Sequence, residues 1–255
     1  MAQETLDVCS FWGPSNADLR DRADIALALH QGTSPRLFQD DINWDCFIAG
    51  RGLIRCNHQP HESQIDAFVS ELNPQLGNCW KDIHAFSCLS NMAYQTGGKF
   101  SPETYNEMMI SILYRLMYLS FPGDKMQTLI QTALLAYCST VFLIRMYQAN
   151  PYGRFKDLFS AELFEIFQLT SRSMPGPVNF WLLMIYHVVA CDDSCSTEWQ
   201  TAWLDETISL DREVTWTDAS TRLKSVMWVD FVHGAPGMKI FDSATERLGK
   251  PRSEH

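Results

Sequence analysis

Apolar side chains recur along this chain every three or four residues and are interrupted by proline and glycine, with no run of one-by-one alternation long enough for a strand. Leu19, Ala23, Ile25, Ala26 and Leu29 repeat at helical spacing in a stretch opened by Pro14-Ser15 and closed by Gly32. Ser34-Pro35 opens a second stretch, carrying Leu37, Ile42, Cys46, Phe47, Ile48, Leu53 and Ile54, which the glycines at 50 and 52 bend or end. His61–Leu72 and Trp80–Tyr94 follow, the latter closed by Gly97-Gly98. Ser101-Pro102-Glu103 combines a cap, a proline at the first helical position and an early acid, and predicts a helix to about Ser120, where Phe121-Pro122-Gly123 stops it. Asp124 starts a long helix ending near Asn150-Pro151. Ser160–Ser171, Val178–Ala190, Glu198–Ser209 and Thr217–Val232 complete the set, and the tail from Leu248 reads as frayed. The pattern predicts one all-α domain over residues 1–255, of about ten helices, with no repeat of fixed period.

The apolar stretch Leu129–Tyr147 approaches the length of a membrane span, but Gln131, Thr132, Ser139, Thr140 and Arg145 interrupt it. It is expected to be a central buried helix, and no span is expected. The chain has 255 residues, 46% of them hydrophobic, which is enough apolar material for a sizeable core. With 20 Lys+Arg against 30 Asp+Glu the formal charge is −10. Such a surface repels phosphates, so a nucleic-acid partner is not expected. Met1 to Asp7 has neither a basic nor an apolar leader pattern, which makes a secretory signal unexpected. The eight cysteines, at 9, 46, 56, 79, 88, 138, 191 and 195, then read as reduced and mostly buried.

Gly-x-Ser-x-Gly, Gly-x-x-x-x-Gly-Lys-Ser/Thr and Gly-x-Gly-x-x-Gly are all missing from the sequence, so acyl, phosphoryl and hydride transfer by those motifs have no support. Cys56, His58 and His61, with His84 from elsewhere, suggest a metal site, yet a polar loop of Asn57, Gln59, Pro60 and Glu62 explains them better, and no metal is expected. Asp40-Asp41 and Asp45 have the spacing of the magnesium-binding acids of terpene cyclases, but the second motif of those enzymes does not follow. A solvated acidic face is the simpler reading.

Polar groups embedded in apolar helices are more informative, because burial without a partner is expensive. Arg115, Arg145 and His187 stand in such runs, and Tyr137 lies on the same helical face as Arg145. These four are the candidate catalytic residues; the alternative is that each is bonded inside the core. Trp181, Tyr186, Met184 and Trp228, with Tyr114 and Tyr118, are the candidate substrate-binding residues, their alternative being ordinary core packing.

Phe180-Trp181-Leu182-Leu183-Met184-Ile185-Tyr186-His187, then Trp199, Trp203-Leu204 and Trp216, then Met227-Trp228-Val229-Asp230-Phe231-Val232-His233-Gly234-Ala235-Pro236-Gly237 and Ile240-Phe241-Asp242 follow in order. Residues 179–244 thereby resemble the C-terminal end of the fungal-specific transcription factor regulatory domain, an all-α family. Full-length members carry a zinc-cluster DNA-binding module, whose cysteine array and basic stripe do not occur here. The resemblance therefore points to stand-alone relatives in fungal biosynthetic gene clusters, some of which are pericyclases. It implies a cofactor-independent hetero-Diels–Alder type step that joins a quinone methide to a terpene-like alkene, with apolar polyketide- or terpene-derived substrates and a cytoplasmic location. The alternative is a non-enzymatic ligand-sensing or protein-interaction domain, nuclear in location, with Glu198–Ser209 and Thr217–Val232 as the candidate homodimer interface.

Overall fold

A computed structural model describes residues 18–37, 42–49, 62–98, 100–142, 153–170, 174–189, 198–210 and 215–249. Among the described residues there are ten helices and no strand, so the chain is all-α. In chain order they are α1 (Asp18–Gln31), α2 (Glu62–Glu71), α3 (Pro74–Thr96), α4 (Pro102–Tyr118), α5 (Lys125–Phe142), α6 (Gly153–Thr170), α7 (Gly176–Val189), α8 (Glu198–Leu210), α9 (Trp216–Val226) and α10 (Asp230–Arg247).

The caps follow from the sequence. Ser101 Oγ accepts the Thr104 N–H at 3.2 Å ahead of Pro102, and the α4 helix starts where its cap and proline place it. Asn73 Oδ1 does the same for Gln75 N–H at 2.9 Å before Pro74, which starts α3 six residues earlier than its apolar spacing alone indicates. Gly97 ends α3 at φ 67°, a left-handed turn that suits glycine.

Two helices form the centre. Every residue of α5 from Thr132 to Phe142 is buried, as expected of a central helix, and Phe180 to Tyr186 of α7 are buried without a break. Helix α5 packs against α3, α4, α6 and α7, while α7 packs against α5, α6, α8, α9 and α10. Trp181 bridges the two halves of the core through an edge contact with Trp80 of α3, centroids 5.6 Å apart.

Three expectations are corrected. The described part of the stretch from Ser34 to Ile54 is not a helix: residues 33–37 and 42–48 are irregular, because side chains of neighbouring helices take up their backbone donors. The helix expected over Thr217–Val232 breaks at Met227–Val229, three fully buried residues of which Met227 and Val229 are extended. Helix α10 then runs straight through Gly234-Ala235-Pro236-Gly237, because contact with α3, α7, α8 and α9 outweighs the cost of an internal proline. The lower part of the expected central helix, from 143 on, lies outside the described residues.

Gly237 makes the closest of these contacts. A Cβ there would stand 2.5 Å from Trp228 Cζ2 and 2.9 Å from Trp216 Cη2, whereas at Gly234 nothing lies within 4 Å. Overpacking by one methyl costs about 1–3 kcal/mol, more than the roughly 1 kcal/mol that alanine gains in a helix. Gly237→Ala should therefore lower the unfolding free energy in chemical denaturation, and Gly234→Ala should raise it. Equal effects at the two positions would contradict this packing.

Candidate functional site

Asp82 of α3 is fully buried and accepts the backbone N–H groups of Phe47, Ile48 and Ala49 at 2.8–3.0 Å, together with Arg115 Nη2 at 2.7 Å. Arg115, on α4, also donates from Nε to the Ser111 carbonyl and from Nη1 to the Asp45 carbonyl. The pair pins the irregular segment 42–49 to the helices. A guanidinium so committed has its main donors directed into the protein.

A second polar knot surrounds the break between α9 and α10. His84 Nδ1 lies 2.6 Å from the Val226 carbonyl, Trp181 Nε1 donates to Met227 at 2.8 Å, and Asn91 Nδ2 donates to Trp228 at 2.7 Å. The amide of Asn91 also accepts the Asp230 N–H at 2.9 Å. His233 Nδ1 accepts the Val229 N–H, so its Nε2 carries the proton and donates to Thr140 Oγ1 at 2.7 Å, whose own hydrogen goes to the Tyr137 carbonyl. Tyr137 is enclosed as well: its hydroxyl lies 2.6 Å from Ser87 Oγ, and burial pushes its pKa well above the usual tyrosine value.

Helices α6, α7 and α8 meet along a different kind of seam. Asn179 Nδ2 donates to Thr207 Oγ1, and Gln200 Nε2 donates to Ser160 Oγ at 2.7 Å. His187 bonds the backbone of Gln200, yet its Nε2 is buried without a partner, as is Asn179 Oδ1. Burial is the main cause that pushes His187 down to about 4, so its imidazole is neutral at ordinary pH. A ring N–H donated to the Gln200 carbonyl leaves Nε2 with a lone pair, an acceptor for a hydroxyl. Aromatic rings stand along the same helices: Phe167 lies 4.9 Å from Trp203 and 5.7 Å from Trp199, Phe164 lies 5.2 Å from Trp199, and Tyr186 contacts both Phe159 and His187.

The expected site residues are thus dispersed. Arg115, Tyr137, Trp181 and Trp228 sit in the core, Met184 is fully buried and Tyr186 nearly so. Tyr114 reaches Asp24 at 3.4 Å, and Tyr118 is exposed beside Trp44. Arg145 lies outside the described residues, as do Asp40, Asp41, Cys56, His58 and His61. Among the described residues no three potential metal ligands come together, and no helix is long and apolar enough to cross a membrane. The sequence reading passed over Asn179, Gln200 and Glu162. Glu162 of α6 has Oε2 buried without a partner, and burial pushes its carboxyl up to about 7. Its spacing was the signal: it falls between the buried Phe159, Leu163 and Ile166, whereas Glu165 faces Lys125 in an exposed pair. No family model matches the chain, and no curated protein or solved structure matches it at a significant level. The fold itself defines an all-α protein with a polar seam among α6, α7 and α8.

The buried ionisable groups give a pH dependence with a definite sign. His233, pushed down by burial to about 3, and His187, at about 4, bind fewer protons folded than unfolded once the pH drops below the ordinary histidine value of 6.5. Their contribution is complete above 6.5 and is lost as the pH falls, by up to about 1.4 kcal/mol per pH unit for each imidazole. Glu162 acts in the opposite sense between 4.5 and about 7, in reduced measure because solvent reaches part of it. Denaturant titrations between pH 6.5 and 4.5 should show stability falling with pH, and falling more steeply in Glu162→Gln. An unchanged slope in the variant would show that the carboxyl is ionised in the fold.

Proposed function

We propose that this protein binds an apolar polyketide- or terpene-derived metabolite at the α6–α7–α8 seam and catalyses a cofactor-independent pericyclic step, a hetero-Diels–Alder type cycloaddition of a quinone methide with a terpene-like alkene. The observation that carries this reading is His187 Nε2, a neutral and unpartnered buried acceptor on a helix flanked by the aromatic side chains of α6 and α8. A cycloaddition needs its two partners held at reacting distance and a few fixed polar contacts to orient them, not a nucleophile. In this reading His187 accepts a hydrogen bond from a hydroxyl of the oxygenated partner, and Trp203, Trp199 and Phe167 face the hydrocarbon partner. The likeness of residues 179–244 to the fungal regulatory domain supports the same assignment.

A non-enzymatic role, ligand sensing or protein contact, is the second reading. It is favoured by the exposure of Leu158 and Phe164 on α6 and Leu210 on α8, at 48%, 41% and 75%.

The two readings separate in one experiment. Quinone methide precursors and terpene alkenes are incubated with and without protein, and the products are resolved on a chiral column. The enzyme reading expects faster formation of one enantiomer, and His187→Ala should lower that rate by about a hundredfold, the lower end of what a placed proton-transfer group contributes. Stabilisation of the protein in thermal shift, with no change in rate or enantiomer ratio, would establish the sensor instead.

A further inference from the structure

Away from that seam, α3 carries His84 and Cys88 one turn apart, with Cys88 Sγ 3.7 Å from His84 Nε2. The Val226 carbonyl, 2.6 Å from Nδ1, only accepts. It therefore fixes the neutral ring with its proton on Nδ1 and its lone pair on Nε2, facing the thiol. Nucleophile, base and a third group orienting the base are the three elements of an activated nucleophile. The backbone that supplies the orienting carbonyl is itself held, since Asn91, the next residue on this face of α3, binds the Trp228 carbonyl and the Asp230 N–H.

The other described cysteines lack this arrangement. Cys79 is fully buried and its thiol is pushed up to about 12, mainly by burial. Cys138 is fully buried and is also raised well above the usual value. Cys46 is bonded to Asn78, and burial followed by the nearby Asp82 charge raises it. Cys88 retains 9% exposure, and His84 beside it is half-buried, so the pair lies at the edge of the core.

We propose that Cys88 and His84 form a reactive thiol–imidazole pair that adds covalently to soft electrophiles of the α,β-unsaturated carbonyl class. As the Cys88 sulfur attacks the electron-poor β-carbon of the conjugated double bond, the Cys88 proton passes to His84 Nε2. The new S–C bond forms at the β-carbon, and the π electrons move onto the carbonyl as an enolate. The proton held by His84 then returns to the α-carbon. Nothing leaves and nothing is oxidised or reduced. This site is independent of the α6–α7–α8 seam and of the activity proposed there.

The test is pulsed labelling of the folded full chain with substoichiometric N-ethylmaleimide, read by peptide mass spectrometry at each cysteine. Cys88 should label at least about tenfold faster than Cys46, the gain in thiolate that one pKa unit brings. His84→Asn keeps a donor near the Nδ1 position for Val226 and removes the base; with circular dichroism unchanged, it should slow Cys88 labelling by about tenfold. His84→Ala, which removes both the donor and the base, provides a second variant should His84→Asn fail to fold. Labelling of Cys88 in step with Cys79 and Cys138 would show that unfolding exposes it, and would overturn the proposal. So would a His84 variant, correctly folded, that labels at the parent rate.

Discussion

Three consecutive carbonyls, those of Val226, Met227 and Trp228, leave helical geometry inside a dry core, and the structure depends on their finding donors. An amide oxygen buried without a partner costs about 1–3 kcal/mol, so three unsatisfied groups together would consume most of the stability of a small domain. The donors come from separate helices: His84 and Asn91 from α3 and Trp181 from α7. Each bond therefore also fixes a helix packing. His233 returns the favour within α10 by taking the Val229 N–H and extends the tie to Thr140 on α5. Four helices and the central α5 are registered by one break in the chain, and the near contact of Gly237 with the Trp228 ring follows from that registration.

The same principle governs the other irregular segment. Residues 47–49 offer three N–H groups to Asp82, and Arg115 balances the charge that this creates. Replacing one member of such a pair would strand the other in the core at a cost of about 3–5 kcal/mol. Asp82, His84, Asn91 and Trp181 are thus committed to backbone that leaves regular helix, whereas buried Ser87, Ser139 and Thr140 bond carbonyls within their own helices. Unpartnered atoms such as His187 Nε2 and Asn179 Oδ1 stand out against that background. Their position on the α7–α8 seam, where no break in the chain needs them, is what makes them informative.

This explains which parts of the molecule are readable from sequence. Helices α4 and α5 were, because Ser101-Pro102 fixes a start and an unbroken apolar run fixes a centre. The segment after Ser34 was not: Phe47 and Ile48 keep helix-like spacing although the carboxylate of Asp82, 35 and 34 residues further along, holds their backbone, and no local rule registers a partner so distant. Helix α10 was hidden by Pro236, whose local cost is outweighed by packing that appears only in three dimensions. Arg115 and Tyr137 were legible as embedded polar groups, but their partners were not, so a core role and a site role looked alike. Glu162 carried its signal in plain spacing and was passed over because the acids near it are ordinary surface groups.

The position of His187 shows which effect wins at the seam. It stands in the last turn of α7, where the negative end of the helix dipole favours a protonated imidazole by about 0.3–1 kcal/mol. The Gln200 backbone also favours the charged form, whereas Arg247 opposes and Asp205 supports it. Those last two form a close pair at 2.7 Å, so their effects largely cancel. Desolvation alone must outweigh the rest to bring the group to about 4 from the ordinary 6.5, a shift worth about 3 kcal/mol. A ring held neutral by burial keeps its lone pair through the whole physiological range. It therefore suits steady orientation of a hydroxyl-bearing ligand better than a proton switch, whose group would have to titrate near neutral pH.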